Sequence, residues 1–319
     1  MEPAVFASIA ALFGACIGSF LNVVIWRLPQ EDPSRRSVTG RSYCPGCGVQ
    51  IAARDNVPVL GWLMLQGKAR CCGVRISFRY PFVELLTAAL FFVTALWPPF
   101  GPVFGADGAV ETAGAVALGL HLVFVSMLIA LTFIDFDTQL LPDALTKPGM
   151  VIGVVAGAWP GLAGALSDDP SVSPVLRTVL ASVVGLVVGG GVTWAVRALG
   201  TAAFKKEAMG FGDVKLMAML GAFLGWKGAL LSLFFGCVLG AVVGVALALR
   251  GGLAARIPFG PYLAMGAVVA LFARDRVLQL LLHDWPEWQQ RNPSSIYAIA
   301  GGSLAAMTLL LWLLRRARR

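Results

Sequence analysis

The feature that most constrains this chain is a succession of apolar runs close to the length needed to cross a lipid bilayer. They lie at roughly 4–26, 81–98, 113–134, 146–166, 175–196, 228–249, 257–273 and 294–314. A spanning helix needs about 20 apolar residues. A shorter run at about 214–225 is either a half-span or joins its neighbour through Gly225-Trp226-Lys227-Gly228. The runs predict an all-α polytopic membrane protein with eight or nine transmembrane helices. With 58% apolar and 13% charged residues, a soluble globule is excluded.

The basic residues give the runs an orientation. The first run has Glu2 and no Lys or Arg before it, unlike a signal peptide, so it reads as a helix with its N-terminus outside. With segments 27–80, 135–147, 197–215, 250–256 and 315–319 in the cytoplasm, 20 of the 25 Lys and Arg lie inside, the asymmetry expected of a multi-pass inner-membrane protein. An outside N-terminus and an inside C-terminus need an odd number of crossings, which favours nine. The net charge of +8 is then accounted for by basic loops facing anionic membrane lipids. No base-stacking module accompanies them, so nucleic acid is not an expected partner.

Acidic residues mark where the chemistry belongs. In Glu207-Ala208-Met209-Gly210-Phe211-Gly212-Asp213-Val214-Lys215-Leu216 a carboxylate stands where an apolar run begins. An acid in a membrane segment costs roughly 2.5–3.5 kcal/mol on insertion scales. Asp213 is therefore either a helix N-cap, a place that suits both Asp and the helix dipole, or a functional acid. A second cluster, Ile134-Asp135-Phe136-Asp137-Thr138-Gln139-Leu140-Leu141-Pro142-Asp143, closes another run. Asp135 abuts its apolar end, Asp137 is the fallback, and Asp143 stands where the next helix would be N-capped. Two carboxylates meeting from different helices cannot easily both ionise. Sharing a proton, one serves as base toward water and the other as acid toward a carbonyl. That is aspartyl-protease chemistry, and Asp135 with Asp213 is the candidate pair. Glu84 reads as a first-turn acid favoured by the helix dipole, and His121 as a satisfied polar residue between helices.

Residues 27–80 form the one long polar stretch and hold four of the six cysteines. Cys44-Pro45-Gly46-Cys47 is a well-formed metal knuckle, whereas Cys71 and Cys72 are adjacent. Cytoplasmic thiols stay reduced, so these read as metal ligands before a disulfide. A structural zinc ion would brace a loop with little core of its own. No His or carboxylate completes an open, catalytic zinc site. Four thiolates, three thiolates and no metal are all open. Cys16 and Cys237 read as inert, Cys16 as a small buried residue. Gly14, Gly18 and Asn22, spaced by four, share one face of the first helix for close packing.

The run Gly210-Phe211-Gly212-Asp213 resembles the Gly-x-Gly-Asp signature of intramembrane-type aspartyl proteases, and most of the chain resembles the bacterial type IV prepilin peptidases. The matching blocks occur in order: Gly18-Ser19-Phe20-Leu21-Asn22-Val23-Val24-Ile25-Trp26-Arg27-Leu28-Pro29, Cys44-Pro45-Gly46-Cys47, Asp55-Asn56-Val57-Pro58-Val59-Leu60, Arg79-Tyr80-Pro81-Phe82-Val83-Glu84-Leu85-Leu86-Thr87, and the two acidic stretches. The resemblance implies Asp135 and Asp213 as catalytic residues. It implies cleavage, after a glycine, of the basic leader of type IV prepilins or type II secretion pseudopilins, at the cytoplasmic face of a bacterial inner membrane. It further implies N-methylation of the new terminus with S-adenosylmethionine, for which the sequence carries no nucleotide fingerprint. It places a cysteine at position 69, where this chain has Ala69. Cys72 matches the fourth ligand and Cys71 is the candidate replacement for the third. The chain accordingly divides into a first transmembrane helix (1–26), a cytoplasmic cysteine-containing, zinc-knuckle-like domain (27–80) and a transmembrane protease core (81–319). The rival from another class is a transporter or channel using interfacial aspartates as ion or proton ligands. Such acids belong near the midplane, often in paired repeats, whereas these sit at one face and no repeat is visible.

Overall fold

The computed structural model describes residues 2–32, 36–44, 46–99, 101–105, 108–159, 173–249, 258–297, 301–303 and 308. Of the expected run at 294–314 only residues 294–297, 301–303 and 308 are described, and the arginines at 315–319 lie outside the described residues. Nine α-helices are described: α1 (Pro3–Arg27), α2 (Leu60–Met64), α3 (Arg79–Leu96), α4 (Thr112–Thr138), α5 (Asp143–Ala156), α6 (Pro174–Phe204), α7 (Phe211–Leu249), α8 (Gly260–Gln279) and α9 (Trp285–Arg291). No strand occurs among the described residues, where sheet-like pairing is limited to isolated bridges. Five of the helices, α1, α3, α4, α6 and α7, are long and apolar enough to cross a membrane.

In a lipid environment apolar burial does little to join helices, so close van der Waals packing through small residues has to do it. Gly14 and Gly18 let α1 lie directly on α3, where a Cβ at Gly18 would approach the Thr87 side chain to 3.0 Å and one at Gly14 the Ala88 Cα to 3.0 Å. On α6, Thr178, Ser182, Gly185, Gly189 and Thr193 form a buried face of small residues. Gly185 and Gly221 bring α6 and α7 into backbone contact there. Gly149 and Gly153 do the same for α5, seating it on Met219, Ala222 and Phe223 of α7.

The two runs separated by Gly225 in the sequence form α7, and the chain doubles back between them. Gly225 has φ 69° and ψ 175°, far from helical values. A Cβ at Gly189 of α6 would touch both Met217 and, 3.4 Å away, Ala229, residues twelve apart on α7. In a straight helix those two would stand about 18 Å apart. The segment before Gly225 is thus a short arm of about 20 Å that is buried along most of its length.

That arm runs antiparallel to the end of α4. Phe124 of α4 stacks on Phe223 with ring centroids 4.5 Å apart and planes inclined by 27°. Met127 and Met219 meet over Gly149. Eleven residues from Phe124 along α4, and ten back from Phe223 along α7, stand Asp135 and Asp213. The antiparallel register therefore delivers the two acids to the same end of the bundle.

Some smaller expectations are corrected. Cys16 is exposed on α1, because the face of α1 that packs on α3 is the one bearing Gly14, Gly18 and Leu21. Asp143 is the first residue of α5 and not its N-cap, which is Pro142. His121 is buried, with its Nδ1 2.8 Å from the Ala117 carbonyl one turn back.

Candidate active site

Asp213 lies in the first turn of α7, two residues beyond the helix start, and is 8% exposed. It is therefore not the cap residue itself. Its Oδ2 folds back toward Gly210, 3.5 Å from where a Cβ would stand. This is the reach of a third-position acid in a capping box. The helix N-terminus also favours negative charge at that place. The loop leading to it is held by Arg197 of α6. The guanidinium donates through Nε to the Met209 carbonyl at 3.0 Å, pairs with Glu207 at 3.0 Å, and lies 5.8 Å from the Phe211 ring centroid.

Asp135 lies in the last turn of α4 and is 5% exposed. The antiparallel register of α4 and the first arm of α7 carries it to the same end of the bundle as Asp213. Two buried carboxylates from separate helices thus lie at one end of the bundle. The other acids of the cluster are engaged. Arg79 of α3 clamps Asp137 with Nη1 at 2.6 Å from both carboxylate oxygens, while its Nη2 donates to the Phe133 carbonyl at 3.1 Å. Asp143 is held by Lys215 and, at 2.8 Å, by Lys147. Asp137 and Asp143 therefore act as struts around the pair, tying α3 to α4 and α5 to α7.

Sequence reading gave Glu84 and Asn22 too little. Glu84 is 7% exposed and accepts the Val59 N–H at 2.7 Å. It fixes a β-branched residue at φ 61°, a costly conformation for such a side chain. Asn22 donates to the Tyr80 carbonyl at 3.1 Å. Asn22 thereby ties α1 to the first turn of α3, and Glu84 pins the polar segment to α3 at Val59. Only the apolar surroundings of Glu84 hinted at this, since its partners are distant in sequence.

The four cysteines converge. Their sulfurs all lie within 4.8 Å of one another, with Cys44–Cys72 at 3.6 Å, Cys47–Cys71 at 3.3 Å and Cys71–Cys72 at 3.9 Å. A tetrahedral ion bound by thiolates at about 2.3 Å sets its sulfurs about 3.8 Å apart, so the donor set fits a metal ion. The N–H groups of Cys47 and then Gly46 draw the Cys44 thiol down to about 6, whereas hydrogen bonding to Cys47 and then Cys44 pushes Cys71 up to about 12. Without a cation only Cys44 is drawn toward the thiolate, while its neighbouring sulfurs keep the Cys71 and Cys72 thiols protonated; a bound metal ion would draw off those protons.

The two knuckles share one backbone form. Cys44 N–H donates to Val49 and Gly48 N–H to Cys44, with Gly48 at φ 70°. Ala69 N–H donates to Val74 and Gly73 N–H to Ala69, with Gly73 at φ 69°. Ala69 thus occupies the place of Cys44, and Cys71 supplies its sulfur from the place of Gly46. The adjacency of Cys71 and Cys72 is accommodated without distorting the knuckle.

Five helices long and apolar enough to cross a membrane, with two buried acids carried to one end of the bundle, define a helical membrane-type protein with a candidate acid pair. Residues 12–97 match the bacterial Peptidase A24 N-terminal domain, and residues 122–245 match the type IV leader peptidase family. The chain is 38% identical over 301 residues to a prepilin leader peptidase/N-methyltransferase of Pseudomonas putida, covering 87% of this chain and 94% of that one. It is 40% identical over 254 residues to the enzyme of the same name from Myxococcus xanthus, covering 78% and 67%. A type 4 prepilin-like proteins leader peptide-processing enzyme of Escherichia coli is 37% identical over 290 residues, covering 85% and 95%. No solved structure matches. The chain belongs to the type IV leader peptidase family.

Proposed function

We propose that this protein is a membrane aspartyl endopeptidase that removes the basic leader from type IV prepilins or type II secretion pseudopilins after glycine, and that it N-methylates the new terminus with S-adenosylmethionine. The observation that carries the peptidase reading is that Asp135 and Asp213, both buried, lie at the same end of the bundle while the neighbouring acids are committed to ion pairs. In this reading the two carboxyls share one proton and hold the attacking water. The ionised one takes a proton from that water as it adds to the scissile carbonyl, and the protonated one gives a proton to the carbonyl oxygen. Collapse of the tetrahedral intermediate releases the leader and a free amino terminus. A transporter or channel reading fits less well, because the two acids lie at one end of the bundle and the adjoining acids already have cations.

The remaining assignments follow from this. Counting the two arms of α7 separately, and adding α5, α8 and the run at 294–314, gives nine spans in a bacterial inner membrane, with the acids at its cytoplasmic face. The domains are 1–26, 27–80 and 81–319. Cys44, Cys47, Cys71 and Cys72 hold a structural zinc ion, which when bound braces the segment between α1 and α3. The methyl donor binds on the same cytoplasmic side.

The test is mass spectrometry of a purified pilin precursor incubated with the enzyme, reporting the cut site and any added methyl together. Asp135→Asn and Asp213→Asn should each abolish cleavage. Full cleavage by either variant would remove that residue from the mechanism.

A further inference from the structure

The first residue of α8, Gly260, abuts Asp135. A Cβ there would stand 2.5 Å from Asp135 Oδ2 and 3.1 Å from its Cγ, closer than real Cβ atoms come to anything. Asp135 Oδ2 is fully buried and has no hydrogen-bond partner among the described residues. Asp135 sits at the negative end of α4, and the positive end of a 20-residue helix arriving beside it offsets that unfavourable placement. Behind Gly260, α8 is fixed on the second arm of α7. Gly236 meets Leu263 there, and Gly266 meets the Ser232 backbone.

We infer that Gly260 is a positioning residue for the peptidase reaction: the bare backbone at the start of α8 forms the wall that holds the Asp135 carboxyl in the orientation that meets Asp213. The inference rests on the acid-pair reading. A methyl group at 260 has no free space, so either the Asp135 side chain rotates or α8 withdraws. Either movement displaces a reacting group by about 1 Å, a shift that can cost about 10²-fold in rate.

The experiment compares Gly260→Ala with Gly240→Ala, a control on α7 whose Cβ would meet Tyr262 at an ordinary 3.6 Å, using full-length enzyme in detergent. Gly260→Ala should lower kcat for precursor cleavage about 10²-fold with KM unchanged, and should leave N-methylation of a pre-cleaved pilin and the thermal midpoint intact. Gly240→Ala should change none of these. Wild-type kcat in Gly260→Ala overturns the inference, as does an equal loss of cleavage and methylation. If Gly260→Ala does not accumulate, Asp135→Ala/Gly260→Ala decides: recovery of folded protein assigns the conflict to this contact, and no recovery overturns the inference. Asp135→Asn is assayed alongside. Cleavage by that variant would refute the acid pair itself, whereas an inactive Asp135→Asn beside a fully active Gly260→Ala would refute the role of Gly260 alone.

Discussion

Asp135 and Asp137 lie two residues apart on α4 and meet opposite fates, because a two-residue step on a helix turns the side chain well over a quarter of the way round. Asp137 faces outward to the guanidinium of Arg79, while Asp135 faces α7 and α8. Identity and charge are the same, and surroundings assign the roles. The cysteines make the same point in reverse. Ala69 removes a thiol from the expected place, yet Cys71 brings its sulfur to the same cluster from two residues further along a backbone turn that is unchanged. Cys71→Ser should therefore lose the bound metal, measured as zinc per mole of purified protein. Ala69→Cys/Cys71→Ser, which returns the sulfur to the regular place, should regain it. Full zinc in Cys71→Ser would show that three sulfurs suffice.

At the scale of elements, the short first arm of α7 exists because Gly225 allows the chain to reverse. Its φ of 69° with ψ of 175° falls in a region that only glycine occupies readily, at a cost of about 1–3 kcal/mol for other residues. Gly225→Ala should destabilise the protein by about that amount, and because the arm carries Asp213, cleavage should fall with it. Thermal unfolding in detergent, read beside Gly191→Ala, checks this, since a Cβ at Gly191 meets nothing within 4 Å. An unchanged midpoint in Gly225→Ala would mean that the reversal is not held by that residue. The fold-back was half visible in the sequence, as two apolar runs with Gly225-Trp226-Lys227-Gly228 between them. Its conformation was not, since a glycine between apolar runs is equally compatible with one long helix.

For the whole molecule, the struts Arg79–Asp137, Lys215–Asp143 and Arg197–Glu207 gather at the end where Asp135 and Asp213 lie, and the cysteine-bearing segment is joined to that end through Glu84, which holds Val59, and Arg79, which clamps Asp137. That arrangement has a measurable orientation. In a background with the six native cysteines replaced, a single cysteine at Gln139 should react with a membrane-impermeant thiol reagent in inverted vesicles and not in intact cells. One at Asp275, at the far end of α8, should react in intact cells. The reverse pattern would place the acids on the outer face and remove the cytoplasmic leader as substrate.

The sequence by itself determined that the chain is helical and built for lipid, since runs of about 20 apolar residues allow little else. It also singled out Asp135, Asp213 and the four cysteines, because charge and thiols in fixed spacings stand out against an apolar background. It named these residues without joining them. Which acids meet, which are spent on Arg79 and the lysines, how Cys71 covers for Ala69, and why Gly260 must lack a side chain were decided only by tertiary structure. Each depends on a contact between residues tens of positions apart, set by helix register and by how closely two backbones approach, and neither quantity is written in any local stretch of the chain.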